Sequence, residues 1–222
     1  MPVKLMSLEE AAAFLMMEPK ELRALATSGE IPCIYQGSRM LFEHGELDTW
    51  YSNRLVTHQP VKHQEYAKMV PEEMSLEKYC RPELMEPCLQ GKTKPAILRS
   101  LAKLAENAGM LYDPEEFLEN IREREEVSST AMAEGIALVH PQKRDEYTCV
   151  EPFIAIAKSQ APVFFGEPNG VPTDIFFLIC SPDSTEHIQI LGKVCQKAAN
   201  PRFLESIRSA STPNEMMDAV RE

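Results

Sequence analysis

Arg124 to His140 of this 222-residue chain reads REEVSSTAMAEGIALVH, setting a single histidine behind an arginine, a Ser-Thr pair and a glycine turn. A neutral imidazole can attack a phosphorus centre through one ring nitrogen, provided the other nitrogen fixes the tautomer and the phosphate charge is compensated. The segment therefore supplies a nucleophile together with candidate donors for taking up and passing on a phosphoryl group. A second histidine, His187, follows Ser181-Pro-Asp-Ser-Thr-Glu and falls in the first turn of an expected helix.

The elements that must hold these groups follow from the patterning around them. Gly135-Ile-Ala-Leu-Val139 has the length and apolarity of a short buried strand, so His140 stands at a strand terminus, facing solvent or a cleft. Phe153–Ala157 and Asp174–Cys180 read as central strands, and Ile188 to Ala199 as a helix. Upstream, the block opens with Leu76–Leu89. A helix over Thr93 to Asn107 carries Ile97, Leu101 and Leu104 at helical spacing, and Gly109 stops it. Pro114 begins another helix, with Phe117, Leu118 and Ile121 inward, that runs into the charged Arg122–Glu126. This alternation predicts an α/β fold, with functional groups gathered where strands end and helices begin.

Residues 1 to 56 form a separate pattern. Ser7-Leu-Glu-Glu10 is a capping box that starts a first helix, and Met16-Met-Glu18 makes a turn. Pro19 opens a second helix with Leu22 and Leu25 inward and Lys20 and Arg23 outward, ended by Ser28-Gly29. Ile31–Tyr35, a turn at Gln36-Gly-Ser38, and Arg39–Phe42 read as a hairpin, and Glu46–Leu55 closes the block with Leu47, Trp50 and Tyr51 as core. Residues 57–73 lack sustained apolar periodicity and are assigned as a linker before a domain over 74–222.

Composition narrows the function classes. The net charge of −11 argues against broad non-specific nucleic-acid binding, which rests on Lys and Arg. Within 1–56, five Lys and Arg face eight acids, and Glu18 and Glu21 flank Lys20, so any DNA contact must be local. No apolar run approaches the ~18 residues of a membrane span and MPVKLMSLEE has no signal core, so a cytoplasmic protein with no membrane contact is expected. Cysteines 33, 80, 88, 149, 180 and 195 are widely spaced without a C-x-x-C pair, which predicts reduced thiols and no metal site.

Two resemblances attach to these motifs. The order LEEAAAFL, PKELRALATSGEIP, GSRMLF, ELDTW over about residues 6–55 resembles the excisionase or MerR-type winged helix-turn-helix family. By position that resemblance implies DNA contacts from Lys20, Arg23 and Arg39, with paired half-sites if the protein is a homodimer. From about Met74 onward, K-x-x-x-L-x-x-L-A, then RE-x-x-x-S-T-x-x-x-x-GIAL-x-H, then D-x-x-E-H-x-x-x-L resemble the enzyme IIA domain of the mannitol, fructose and nitrogen-regulatory phosphotransferase system. The implied fold is a IIA-like mixed sheet flanked by helices. The implied roles make His140 the phosphoryl acceptor, His187 its partner across the cleft and Arg124 the charge facing the phosphate, with Thr130 and Gly135 shaping the intervening loop.

That family usually has proline directly before the acceptor histidine, whereas here Val139 precedes His140 and Pro141 follows it. The resemblance implies an HPr-type phosphocarrier as donor, no cofactor, and no IIB-like or IIC-like segment for sugar uptake. The fusion of the two blocks suggests a regulator in which phosphorylation of His140 alters what the first domain binds. Two other readings stay open: a transport IIA component passing phosphate to a separate IIB protein, and a non-catalytic interaction protein with a degenerate site.

Overall fold

A computed structural model describes residues 5–57, 70, 73–166 and 170–222 of the chain. It divides into two compact units, Met1–Leu55 and Val56–Glu222. Most of the stretch expected as a linker, 57–73, lies outside the described residues.

In the first unit, strand β1 (Leu5–Ser7) runs directly into helix α1 (Leu8–Phe14). Ser7 is the cap, its hydroxyl accepting from the Glu10 amide at 3.2 Å while the Glu10 carboxylate accepts from the Ser7 amide at 2.8 Å. Reciprocal capping of this kind stabilises a short helix by about 1 kcal/mol. Met16, at φ 52°, turns the chain into α2 (Pro19–Thr27), and Gly29, at φ 78°, ends it in the left-handed region that glycine adopts without a Cβ clash. Strands β2 (Ile34–Gln36) and β3 (Arg39–Glu43) form the expected hairpin, and α3 (His44–Thr57) closes the unit.

The hairpin is one strand short of what forms. β1 pairs antiparallel with β3, giving a three-stranded sheet in the order β1-β3-β2. The sequence reading missed β1 because three residues ahead of a capping box show no alternation. Leu15, Leu22, Phe42 and Leu47 are fully buried in this unit, and the Trp50 indole donates to the Glu30 carbonyl at 2.6 Å.

The second unit is built on a five-stranded mixed sheet in the order β4-β7-β8-β6-β5. Its strands are β4 (Met85–Leu89), β5 (Ala131–Met132), β6 (Ile136–Val139), β7 (Phe153–Val163) and β8 (Thr173–Cys180). β6 runs parallel to β8 with Val139 opposite Leu178, and β7 is antiparallel to β8 with Phe153 opposite Cys180. Leu76–Leu89, which opens this block, resolves into 3-10 turns at Leu76–Tyr79 and Pro82–Leu84 followed by β4.

Alternate strand residues feed two cores. Ala137, Val139, Phe153, Phe176 and Leu178 point to a cluster shared with Ile97 and Leu101 of α4 (Lys94–Asn107) and with Phe117 and Ile121 of α5 (Pro114–Val127). Helices α6 (Ser184–Ala198), α7 (Pro201–Ser209) and α8 (Pro213–Arg221) follow β8. Phe177, one residue on from Phe176, stacks against Phe203 of α7 at 6.3 Å between ring centroids. Each fully buried side chain of this size contributes about 1.5–3 kcal/mol through removal from water. Both faces of the sheet are therefore covered, as a sheet with apolar residues at consecutive strand positions requires.

Among the described residues no helix is long and apolar enough to cross a membrane. The six cysteines carry free thiols, four of them buried.

Candidate functional site

The parallel pair β6 and β8 brings two chain segments to one edge of the sheet. His140 directly follows the last residue of β6, and the segment after β8 leads through Asp183, which caps α6 by accepting from the Glu186 amide at 2.7 Å, to His187. The carboxyl ends of parallel strands are where ligand sites form in such sheets, because the loops diverge there. The two imidazole rings lie 5.4 Å apart between centroids, tilted by 55°.

The hydrogen bonds of His140 fix its tautomer. Its Nδ1 lies 2.7 Å from the Leu138 carbonyl oxygen, and its Nε2 lies 3.0 Å from Nε of Arg124. A carbonyl only accepts and a guanidinium only donates, so Nδ1 carries the proton and Nε2 holds a lone pair. Arg124 comes from the last turn of α5 and is anchored by Nη1 donating to the Ser128 carbonyl at 3.0 Å.

The expectation that His140 faces solvent or a cleft is corrected by its surroundings. It is 1% exposed, His187 is 0% exposed and Arg124 is 1% exposed. Arg124, itself buried, occupies the Nε2 edge of the ring through the hydrogen bond it donates there.

Burial and positive charge keep both rings neutral. Burial pushes the His140 imidazole well below its usual range, the Arg124 charge lowers it further, the bond to Leu138 opposes this, and Arg144 adds a smaller lowering. His187 is held well below its usual range by burial first, then by Arg144, His140 and Arg124. Neither ring nitrogen of His187 has a hydrogen-bond partner among the described residues although the residue is fully enclosed. Orphaned buried nitrogens cost about 1–3 kcal/mol each, which marks a position kept for something other than stability.

The residue after Arg124 holds the frame. Glu125 is buried, and its carboxylate accepts from the Thr130 amide at 3.1 Å and from the Thr130 hydroxyl at 2.6 Å while pairing with Nζ of Lys94 at 2.8 Å. Thr130, whose carbonyl accepts from the Leu138 amide at 3.0 Å, thereby ties the end of α5 to the strand that delivers His140. Thr130 acts on the strand rather than on the histidine ring.

Gly135 lies elsewhere. It sits at φ 76° in the turn between β5 and β6, at the opposite end of β6 from His140, about 16 Å away at the rise of an extended strand. A Cβ there would come within 3.2 Å of Arg208, Asp174 and the Pro172 carbonyl. Its surroundings are the bidentate Arg208–Asp174 pair, at 2.8 and 2.9 Å, so the glycine shapes the β5–β6 turn within the segment joining Arg124 to His140, away from the histidine ring.

Two contributors escaped the sequence reading. Lys94 was singled out only as part of a spacing pattern. Arg144 was not singled out, yet its Nη1 donates to the Pro141 carbonyl at 3.0 Å, one residue past His140. The available signal was a basic pair, Lys143-Arg144, immediately after the strand end.

In the first unit, Lys20 and Arg23 are exposed on α2 and Arg39 is exposed at the start of β3, so all three project to solvent on one small unit. Glu18 and Glu21 are exposed beside Lys20. Among the described residues no group of three or more His, Cys, Asp or Glu side chains is placed to hold a metal ion.

Comparison with known proteins places this arrangement. The family model described as "Phosphoenolpyruvate-dependent sugar phosphotransferase system, EIIA 2" matches residues 78–222. A nitrogen regulatory protein of Pseudomonas aeruginosa is 27% identical over 132 residues, 59% of this chain and 84% of that protein. The crystal structure of the nitrogen regulatory protein IIA-Ntr from Neisseria meningitidis superposes with a TM-score of 0.58 at 21% identity, covering 65% of this chain and 97% of that one. Enzyme IIA for mannitol from Escherichia coli, solved in complex with phosphorylated IIB, superposes at 0.55 and 19% identity over 64% of this chain and 96% of that one.

Proposed function

Since the chain belongs to the EIIA 2 family of the phosphoenolpyruvate-dependent sugar phosphotransferase system, we propose that it accepts a phosphoryl group on Nε2 of His140 and uses that state as a regulatory input. The observation that carries this reading is the fixed tautomer: a buried, neutral imidazole with Nδ1–H on the Leu138 carbonyl and its Nε2 lone pair turned to Arg124.

The step balances without a metal or a separate base. The Nε2 lone pair of His140 forms the new N–P bond as the N–P bond of a phosphohistidine donor breaks, and that bonding pair returns to the donor imidazole. His140 keeps its Nδ1 proton and takes on the positive charge that the donor ring gives up, with the Leu138 carbonyl stabilising it. Arg124 must release Nε2 during the step, and the entering phosphoryl oxygens replace that nitrogen as its acceptor, a stronger charge-assisted bond. His187, its ring centroid 5.4 Å from that of His140 and its nitrogens without a partner among the described residues, offers a ring N–H to the same oxygens. Thr130, through Glu125, keeps the strand and α5 in register.

The donor we infer is an HPr-type phosphocarrier acting in the cytoplasm. The first unit, residues 1–56, we read as a winged helix-turn-helix domain, with α1 and α2 as the helix pair, the β2–β3 hairpin as the wing, a linker over 57–73 and the IIA-like domain over 74–222. Exposed Lys20, Arg23 and Arg39 support DNA contact by a homodimer on paired half-sites, with phosphorylation of His140 changing the affinity. Equal affinity of the phosphorylated and unphosphorylated protein for its DNA target would refute that coupling.

A second reading is supported by the mannitol IIA solved with phosphorylated IIB: the chain would hand its phosphoryl group to a separate IIB protein. Rapid loss of label from His140 to such a protein would favour it. The direct test of acceptance is incubation with phosphoenolpyruvate, enzyme I and HPr. We expect acid-labile label on the wild type and none on His140→Ala, and label retained in the variant would refute the assignment.

A further inference from the structure

We propose that Arg144 is a second phosphate-binding guanidinium of the His140 site, acting beside Arg124 on the oxygens of the same phosphoryl group. The inference rests on the phosphoryl-acceptor reading and adds a residue to it. Arg144 is half-buried, and Nη1 donates to the Pro141 carbonyl at 3.0 Å, so its side chain folds back onto the strand end that carries His140 instead of extending into solvent.

The loop around it is fixed before any ligand arrives. Asn120 of α5 accepts from the Gln142 and Lys143 amides, both at 2.9 Å, and donates to the Lys143 carbonyl at 2.6 Å. Immediately after Arg144, the Asp145 amide donates to the Thr148 hydroxyl at 2.8 Å, and the Asp145 carboxylate accepts from the Tyr147 amide at 2.9 Å. Hydrogen-bonded turns on both sides hold the Arg144 backbone, so little ordering is needed when an anion binds.

Charge supplies the chemical reason. A phosphoryl group brings about −1.5 to −2 charges into an enclosed site, where uncompensated charge is costly. Both imidazoles are neutral before the new bond forms. Once the N–P bond forms, the His140 ring carries one positive charge and Arg124 another, and Arg144 adds further guanidinium N–H donors for the phosphoryl oxygens. Arg144 is also the charge that weighs most on His187 and acts on His140 as well, in keeping with its hydrogen bond to the residue after His140.

The test uses the full chain labelled chemically with phosphoramidate, which needs no protein donor, and phosphorus NMR to titrate the second ionisation of the phosphoryl group. We expect Arg144→Gln to raise that ionisation by about one pH unit, the size of shift one nearby opposite charge produces, and Arg144→Lys to restore most of it. Loss of labelling in Arg144→Gln with labelling kept in Arg144→Lys would support the same role. An ionisation that is equal in wild type and Arg144→Gln, or labelling lost equally in both variants, would overturn it. An unlabelled wild type, or label surviving in His140→Ala, would instead remove the acceptor reading and this inference with it.

Discussion

Lowering the pH should destabilise the second unit through its two buried histidines, and the size of the effect follows from their enclosure. Both have folded-state values pushed well below the ordinary 6.5, chiefly by burial, with Arg124, Arg144 and each other's ring adding to it. A histidine so depressed contributes stability that is complete above its unfolded value and is lost as pH falls through about 6.5, because the unfolded chain takes up the proton and the folded one does not. Between pH 7 and 5.5 the loss is about 1.2 kcal/mol per ring, or about 2.5 kcal/mol for the pair, and unfolding at pH 5.5 should take up about 1.8 protons through them. For a unit of this size that corresponds to roughly 5–10 °C in melting temperature. The assay is urea or thermal unfolding followed by far-ultraviolet circular dichroism at several pH values, with Trp50 fluorescence reporting the first unit separately. His187→Gln should remove about half of the slope attributed to the histidines, whatever it does to stability at pH 7. A variant with the same pH slope as the wild type between 7 and 5.5 would refute the claim that His187 is held neutral.

Other expectations bear on the frame around the site. Glu125→Gln should destabilise the second unit by about 2–4 kcal/mol in denaturant titrations, since it weakens the buried bonds to Thr130 and leaves Lys94 without its partner; a change under about 0.5 kcal/mol would count against that network. Gly135→Ala should cost about 1–2 kcal/mol, from the left-handed backbone and the 3.2 Å approaches to Arg208 and Asp174, while leaving phosphoramidate labelling of His140 unchanged. Impaired labelling without loss of stability would return the glycine to the site. Ser7→Ala should lower the melting temperature reported by Trp50, through a cap worth about 1 kcal/mol, and leave the second unit's transition where it was.

The local elements were legible because their signals are local. Ser7 with Glu10, Pro19, Gly29, Pro114, and the apolar run ending at Val139 each fix a boundary within a few residues, and each stands within a residue or two of where it was expected. Three strands escaped, and β4 is disguised by Pro87 in its middle. β1 and β5 are three and two residues long, too short for alternation, and they exist only because β3 and β6 offer them edges.

By itself the sequence determined the residue types and their order: an imidazole at a strand end, an arginine and an acid sixteen and fifteen residues before it, and a second imidazole at the start of a later helix. Those follow from composition and periodicity, which act over a few residues at a time. The tertiary structure decided which of these groups meet. It set Arg124 on Nε2 of His140, closed the strand end that was expected to open, placed Gly135 at the far end of β6 and folded Arg144 back onto the strand end. The physical reason is that these contacts depend on the parallel pairing of β6 with β8 and on where α5 packs against the sheet, and side-chain spacing along the chain carries no record of either.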